Sequence, residues 1–333
     1  MSLLYAGCVA LGVALLATPA CRLLASWSGV LDLPAPRKVH AQPTPLLGGV
    51  AVFAGFATAT ALFQRPVVPV QTLLLLSGAA AFGLIGLVDD LRDVGAVKLL
   101  AEAAVVTAIV WLGGFSVALP WPGAGQIIAV LWIVGVANAV NCLDCTDGVA
   151  AGVAVVAACA LVALALAMNR WGVAVAAAAT AGAALGFLRY NFPPARIFLG
   201  DAGSLMLGFI LAALAAALAA PRISAGSVAP LAVLSVPVGD FLLVHARRYR
   251  QGLRSLGIVT STGKDHLPHR LLHAGLSSRE VAVRIYRASA LSAASAVALL
   301  LWGLPAALVP AIPLVASAFA RPAAGVRDLS HLG

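Results

Sequence analysis

Residues 67–88 read VVPVQTLLLLSGAAAFGLIGLV, twenty-two positions without a charge, and run directly into Asp89-Asp90. A helix of about 20 mostly apolar residues crosses the hydrocarbon of a bilayer, so this stretch predicts a membrane-spanning helix that ends on a pair of acids. Similar runs lie near 3–21, 47–63, 99–118, 125–141, 149–168, 172–188, 203–220, 227–245, 285–302 and 304–320. Hydrophobic residues make up 62% of the chain and charged residues 10%, where a soluble domain carries roughly 25% charge. Mean hydropathy is +1.02. The fold predicted is an all-α polytopic membrane helix bundle of about 10–11 transmembrane helices. It forms one domain over residues 1–333, with a long polar loop at 246–284, and no nucleic-acid partner is expected.

Lys and Arg collect in cytoplasmic loops, which fixes the orientation. One set of alternate loops holds Arg22, Arg37, Lys38, Arg92, Lys98, Arg189, Arg196, the nine cations from Arg247 to Arg287, Arg321 and Arg327; the other holds only Arg65, Arg170 and Arg222. All twelve acids and all six histidines fall with the first set, so water and chemistry share the cytoplasmic face. No Lys or Arg precedes the run 3–21 and Arg22 follows it, so this helix is expected to stay in the membrane rather than be cleaved, its N-terminus outside. The five cysteines sit in or near spans, which implies no disulfide framework.

Five clusters lie on that face. Asp89-Asp90 is followed by Arg92 and Asp93; adjacent carboxylates at a membrane boundary suit a hard cation such as Mg²⁺ or Mn²⁺, or a solvated helix end. Asn138, Asn141, Asp144 and Asp147 recur every third residue before Gly148. A step of three turns 300° on an α-helix, so one polar pocket requires a broken helix end, which Gly148 permits. Cys142 and Cys145 within this run read as packing residues. The stretch from Arg189 through Asn191, Phe198, Gly200, Asp201 and Gly203 to Ser204 is able to present backbone N–H groups to a phosphate or to be a capped helix start. Loop 246–284 gathers Arg247, Arg248, Arg250, Arg254, Lys264, His266, His269 and Arg270, a set that clamps a diphosphate or rests on anionic lipid. Ser277 with Glu280 reads as a capping box. Near the start, Lys38 and His40 precede Pro43-Thr-Pro45-Leu-Leu-Gly48-Gly49 and face the same water.

In this order, from Arg37 to Arg279, these stretches resemble the polyprenyl-phosphate N-acetylhexosamine-1-phosphate transferases. That family has a basic loop ending Pro-x-x-Gly-Gly, an Asp-Asp helix end followed by Lys-Leu (here Lys98-Leu99), an Asn-x-x-Asn-x-x-Asp-x-x-Asp-Gly run, a Phe-x-Gly-Asp-x-Gly-Ser loop and a histidine loop. The resemblance implies a Mg²⁺ (or Mn²⁺) site at Asp201 with Asp89 and Asp90. It implies a catalytic lining of Asp89, Asp90, Asp144 and Asp147. Phe198 would stack on uracil near Asn191, and Lys38, Lys98, His266 and His269 would hold phosphates, with His40, Asn138, Asn141 and Arg270 completing the substrate set. The implied reaction joins a UDP-N-acetyl sugar to polyprenyl phosphate at the inner face of a bacterial plasma membrane, releasing UMP; a homodimer is compatible with it. The histidine stretch resembles the N-acetylglucosamine-1-phosphate branch more than the phospho-N-acetylmuramoyl-pentapeptide branch, with Pro268 in place of one His and Cys145 also departing from the pattern. Two other classes fit the pattern less well. A CDP-alcohol phosphotransferase wants further acids after Asp147-Gly148, where an apolar run follows, and a transporter places its polar groups near the midplane rather than at one surface.

Overall fold

The computed structural model describes residues 1–34, 42–64, 70–92, 94–114, 123–219, 224–252 and 265–303. Helices fill them: α1 (Ser2–Ser28), α2 (Gly48–Phe63), α3 (Val70–Arg92), α4 (Val97–Gly113), α5 (Ala124–Leu143), α6 (Val149–Ala167), α7 (Trp171–Asn191), α8 (Gly200–Leu218), α9 (Ala225–Ala232), α10 (Ser235–Arg250), α11 (Leu267–His273) and α12 (Ser278–Trp302). Seven of these, α1, α3, α5, α6, α7, α8 and α12, are long and apolar enough to cross a bilayer, so the chain is a multi-pass membrane protein. The apolar helix α2 has 16 residues and α4 has 17, about 24–26 Å at 1.5 Å per residue, one turn short of a full crossing. The expected span at 304–320 lies outside the described residues.

The stretch 227–245, expected as one span, is two helices, α9 and α10, bent by 74°. Pro237 accounts for the break. It sits in the first turn of α10, where a missing N–H is harmless, whereas in a continuous helix its ring would strike the carbonyl of Val233. The polar loop is shorter than read from sequence, because α10 runs on to Arg250, α11 forms inside the loop, and α12 starts at the capping box of Ser277 and Glu280.

α8 is the hub. Fifteen of its nineteen residues are buried, and it packs on α2, α3, α5, α6 and α7. Lipid tails are as apolar as Leu, so helices in a membrane hold together by close packing of small residues. α1 accordingly buries Ala6, Ala10, Ala14, Thr18, Cys21 and Ala25 on one stripe, and Gly186 of α7 sits against the Leu11 carbonyl, with room for no side chain. Phe82 of α3 stacks on Phe209 of α8 at 4.7 Å.

The connections place the polar ends together. β1 (Leu31–Asp32) pairs antiparallel with β2 (Thr44–Pro45), and the chain then docks on the segment leading into α8. Phe198 N–H donates to the Pro45 carbonyl at 2.8 Å, Gly48 N–H to that of Phe198 at 3.0 Å, and Gly49 N–H to that of Leu199 at 2.9 Å. A Cβ on Gly49 would stand 2.5 Å from the Gly203 nitrogen; the glycine pair is what lets α2 start against α8.

Candidate active site

The N-terminus of α8 holds an anion, and the anion is a side chain. Asp201 N–H donates to Asp90 Oδ1 at 2.9 Å and Ala202 N–H to Oδ2 at 3.1 Å. The first turn of a helix has unpaired N–H groups and a positive dipole end, so the Asp90 carboxylate caps it from α3. The reading of this terminus as a phosphate cradle is corrected accordingly, and Asp90 becomes an anchor. Gly200 takes a left-handed φ of 72°, and a Cβ there would lie 2.7 Å from Asp90 Oδ2.

Asp89 points elsewhere. Its Oδ1 accepts from Val94 N–H at 2.9 Å and its Oδ2 from Lys98 Nζ at 2.5 Å, while the same ammonium lies 3.1 Å from Asp201 Oδ2. Lys98 thus bridges two carboxylates. Of this trio Asp201 is the most open, its side chain 34% exposed against 19% for Lys98 and 9% for Asp89. Asn141 Nδ2 donates to Ser204 Oγ at 3.1 Å, next to the Asp201 carboxylate, whose ionised form it favours. Asn138, expected at the substrate, is buried instead: its Nδ2 donates to Glu102 Oε2 at 2.5 Å and to the Val134 carbonyl at 3.0 Å.

α5 stops at Leu143 and α6 starts after Gly148, whose φ is 74°. The turn between them gathers residues that a continuous helix would spread around its axis. Asp147 Oδ2 accepts from Ala195 N–H at 2.9 Å and ties down the Pro193-Pro194 segment. Asn191 Oδ1 accepts from Gly148 N–H and its Nδ2 donates to the Ile197 carbonyl, both at 3.0 Å. With both ends of its amide engaged and 2% exposure, Asn191 is a clasp of the scaffold, which corrects its expected place at the nucleotide. Tyr286 O–H closes the same corner on the Gly148 carbonyl at 2.6 Å. Asp144 differs: it is half-buried and accepts no hydrogen bond among the described residues. Burial pushes it well above the usual carboxylate range, and the charges of Asp201, Asp90 and Asp147 push the same way. Phe198 is half-buried, two residues before α8 begins at Gly200.

The histidine segment is held by two acids. Arg248 Nε and Nη2 grip Asp265 at 2.7 and 2.6 Å. His266 Nδ1 lies 2.8 Å from Asp240 Oδ2, and Leu267 N–H donates to Asp240 Oδ1 at 2.8 Å. The ring also meets Cys142 at the end of α5, which joins this segment to the Asn138–Asp147 cluster. Pro268 occupies the first turn of α11, where it favours the helix start; His269 and Arg270 are half-buried on that helix. Asp240 and Glu102 stand out in no motif, yet each is a lone acid inside an apolar stretch, and such residues are expensive enough to mark function. Lys38 and His40 lie outside the described residues.

Burial opposes a charge on His266, but the Asp240 carboxylate outweighs it and the ring is pushed up to about 10. A folded value above the ordinary ~6.5 means stability that is complete below about 6.5 and is lost as pH rises through about 10. The melting-temperature gap between the native protein and His266→Gln is therefore expected to narrow steadily over that window. A gap independent of pH would remove the imidazolium–Asp240 pair from the account.

Among the described residues, no three Asp, Glu, His or Cys side chains converge to enclose a metal ion. Mg²⁺ does not require such a cage, since it keeps several waters and is commonly held by one or two carboxylates together with substrate phosphates. Asp201, Asp89 and the unpartnered Asp144 fit that use: hard oxygens that repel one another around a single basin. Asp90 fits it less, since both of its oxygens accept backbone N–H groups, while Asp147 and Asp89 each have one oxygen so tied.

Residues 72–219 match the family model of glycosyl transferase family 4. The chain is 32% identical over 304 residues to the Bacillus subtilis protein named "Probable undecaprenyl-phosphate N-acetylglucosaminyl 1-phosphate transferase", covering 87% of this chain and 83% of that one. It is 34% identical over 312 residues to the decaprenyl-phosphate N-acetylglucosaminephosphotransferase of Mycobacterium tuberculosis, covering 81% and 76%. It is also 38% identical over 196 residues to the phospho-N-acetylmuramoyl-pentapeptide-transferase of Moorella thermoacetica, covering 52% and 60%.

Proposed function

The chain belongs to the polyprenyl-phosphate N-acetylhexosamine-1-phosphate transferases of glycosyl transferase family 4, and from that membership we propose that it moves N-acetylglucosamine-1-phosphate from UDP-N-acetylglucosamine to polyprenyl phosphate. One oxygen of the lipid phosphate attacks the β-phosphorus of the nucleotide sugar, the bond to the α-phosphate oxygen breaks, and UMP leaves. The observation that carries this reading is the placement of Lys98 between Asp89 and Asp201 at one end of the bundle. The cation bias of the loops supports the reading of that end as cytoplasmic, where a soluble nucleotide and a lipid headgroup are able to meet.

A phosphate monoester has a second pKa near 6, so the lipid nucleophile is mostly dianionic at neutral pH and scarcely needs a base. What resists the reaction is the approach of two anions. Lys98 supplies positive charge beside Asp201, and the His266 ring, held by Asp240, supplies a second positive group on the histidine segment. Mg²⁺ on Asp201 with Asp89 or Asp144 would add charge neutralisation at the diphosphate. Asp90 and Asp147 act by holding α8 and the 193–195 segment rather than by moving protons.

A cavity of about 220 Å³ between α4, α5 and α10 opens beside this site, lined by Leu99, Ala103, Val130, Val134, Gly135 and Phe241 with Asn138 at its polar end. An apolar recess one residue from Lys98 is a place for the first isoprene units of the acceptor. A Cβ on Gly135 meets nothing within 4 Å, so Gly135→Trp is expected to fold and fill the recess. Its KM for polyprenyl phosphate should rise at least about tenfold, or ~1.4 kcal/mol, with the KM for the nucleotide sugar within about twofold. An unchanged lipid KM would place the tail elsewhere.

The function is tested with purified protein, polyprenyl phosphate and a panel of UDP-sugars, reading UMP and the lipid product. UMP release with UDP-N-acetylglucosamine supports the proposal, and release only with UDP-N-acetylmuramoyl-pentapeptide moves the chain to the reaction named for its Moorella relative. Sugar flux without UMP would make it a transporter.

A further inference from the structure

Lys98 stands where a divalent cation would have to approach, between Asp89 and Asp201. Two positive charges do not share that gap without cost, so an ammonium there competes with the metal unless it has somewhere to go. Glu102 offers a place. It lies four residues further along α4, on the same helix face as Lys98, and helical side chains lean toward the N-terminus, which aims it at the turn carrying Lys98. Glu102 is fully buried. Its Oε2 accepts from Asn138, and its Oε1 has no hydrogen-bond partner among the described residues. A carboxylate oxygen enclosed by protein and left unpaired is expensive; burial opposes the charge on Glu102, and the Lys98 ammonium already acts through space in its favour.

We propose that Glu102 is the alternate acceptor for Lys98: on cation binding, the ammonium leaves Asp89 and Asp201 and pairs with Glu102 Oε1, while Asn138 holds Oε2 in place. Glu102 is thus a positioning residue that acts through Lys98. The exchange keeps positive charge at the basin's edge, ready for a phosphate, and frees Asp201 and Asp89. It rests on the transferase reading above.

The test uses the full chain in detergent and Mn²⁺ alone, with free Mn²⁺ read by electron paramagnetic resonance, and in parallel the Mg²⁺ dependence of UMP release. Glu102→Gln keeps an acceptor for Asn138 and so preserves the packing, but it cannot pair with an ammonium as a carboxylate does. The expected result is about tenfold weaker Mn²⁺ binding and a matching rise in half-saturating Mg²⁺, with Mn²⁺ affinity restored when Lys98→Met is added and the competing charge is gone. A residue with only a structural role would lower the melting temperature and leave cation affinity alone. Wild-type affinity in Glu102→Gln overturns the exchange and leaves the transferase reading standing. A native protein that binds no Mn²⁺ and turns over fully in excess EDTA overturns both the metal site and the exchange, and a protein that releases no UMP from any UDP-sugar overturns the function itself.

Discussion

Asp201→Asn is expected to lower kcat by about 10³-fold or more, roughly 4 kcal/mol of transition-state stabilisation, with little change in melting temperature. Asp201 is the most open carboxylate of its cluster, and Lys98 and Asn141 already converge on it. The amide is isosteric, the Asp201 backbone N–H still donates to Asp90, and Lys98 keeps Asp89 as partner, so the fold has little reason to respond. What disappears is one full negative charge at the point where a cation and a diphosphate would meet. UMP release, measured beside a thermal melt of the same preparation, checks both halves. Turnover within about tenfold of wild type would exclude Asp201 as the principal ligand.

How far the sequence alone reaches is visible residue by residue. Apolar runs near 20 residues long located the helices, because a bilayer imposes that length whatever the tertiary structure. The bend at Pro237 was also available locally, since proline removes a helix hydrogen bond and kinks or breaks the chain there; the hydropathy of 227–245 masked it. At the end of α5 the spacing signalled a broken helix, and α5 stops at Leu143 with α6 starting after Gly148, yet Asn138, Asn141 and Asp147 take different partners. Side-chain partners were not available in the same way. Asp89 and Asp90 are adjacent in sequence, yet one meets Lys98 and the other caps α8, because successive helical positions point about 100° apart and face different neighbours. Asn138 and Asn191 look like substrate groups from their motifs, but buried amides are drawn to whatever polar atoms the fold leaves unpaired. For Asn191 those are the Gly148 N–H and the Ile197 carbonyl.

Asp144→Asn is expected to abolish turnover while making the cation-free protein more stable, and this pairing is the sharpest separation of site from scaffold that the structure offers. Asp144 is half-buried and accepts no hydrogen bond among the described residues, and Asp201, Asp90 and Asp147 all oppose its ionisation. Its carboxyl is therefore harder to ionise in the folded chain than in the unfolded one, where the reference lies near 3.9. The sign follows: above about pH 4 the unfolded chain releases this proton more readily, so the folded state loses stability as pH rises until the folded group also ionises. Asparagine removes that loss. The variant should melt higher in EDTA by ~2–4 °C for each kcal/mol recovered, with a gap that is larger at pH 8 than at pH 5. Adding Mg²⁺ should close the gap from the wild-type side, because a ligand that binds only the native form raises its stability by mass action, and the variant has lost a group able to hold it. A scaffold acid behaves the opposite way: replacing it lowers the melting temperature at every pH and leaves the Mg²⁺ response intact. If Asp144→Asn shows that second pattern, Asp144 belongs with Asp90 and Asp147 as an anchor, and the cation must be held by Asp201 and Asp89 alone.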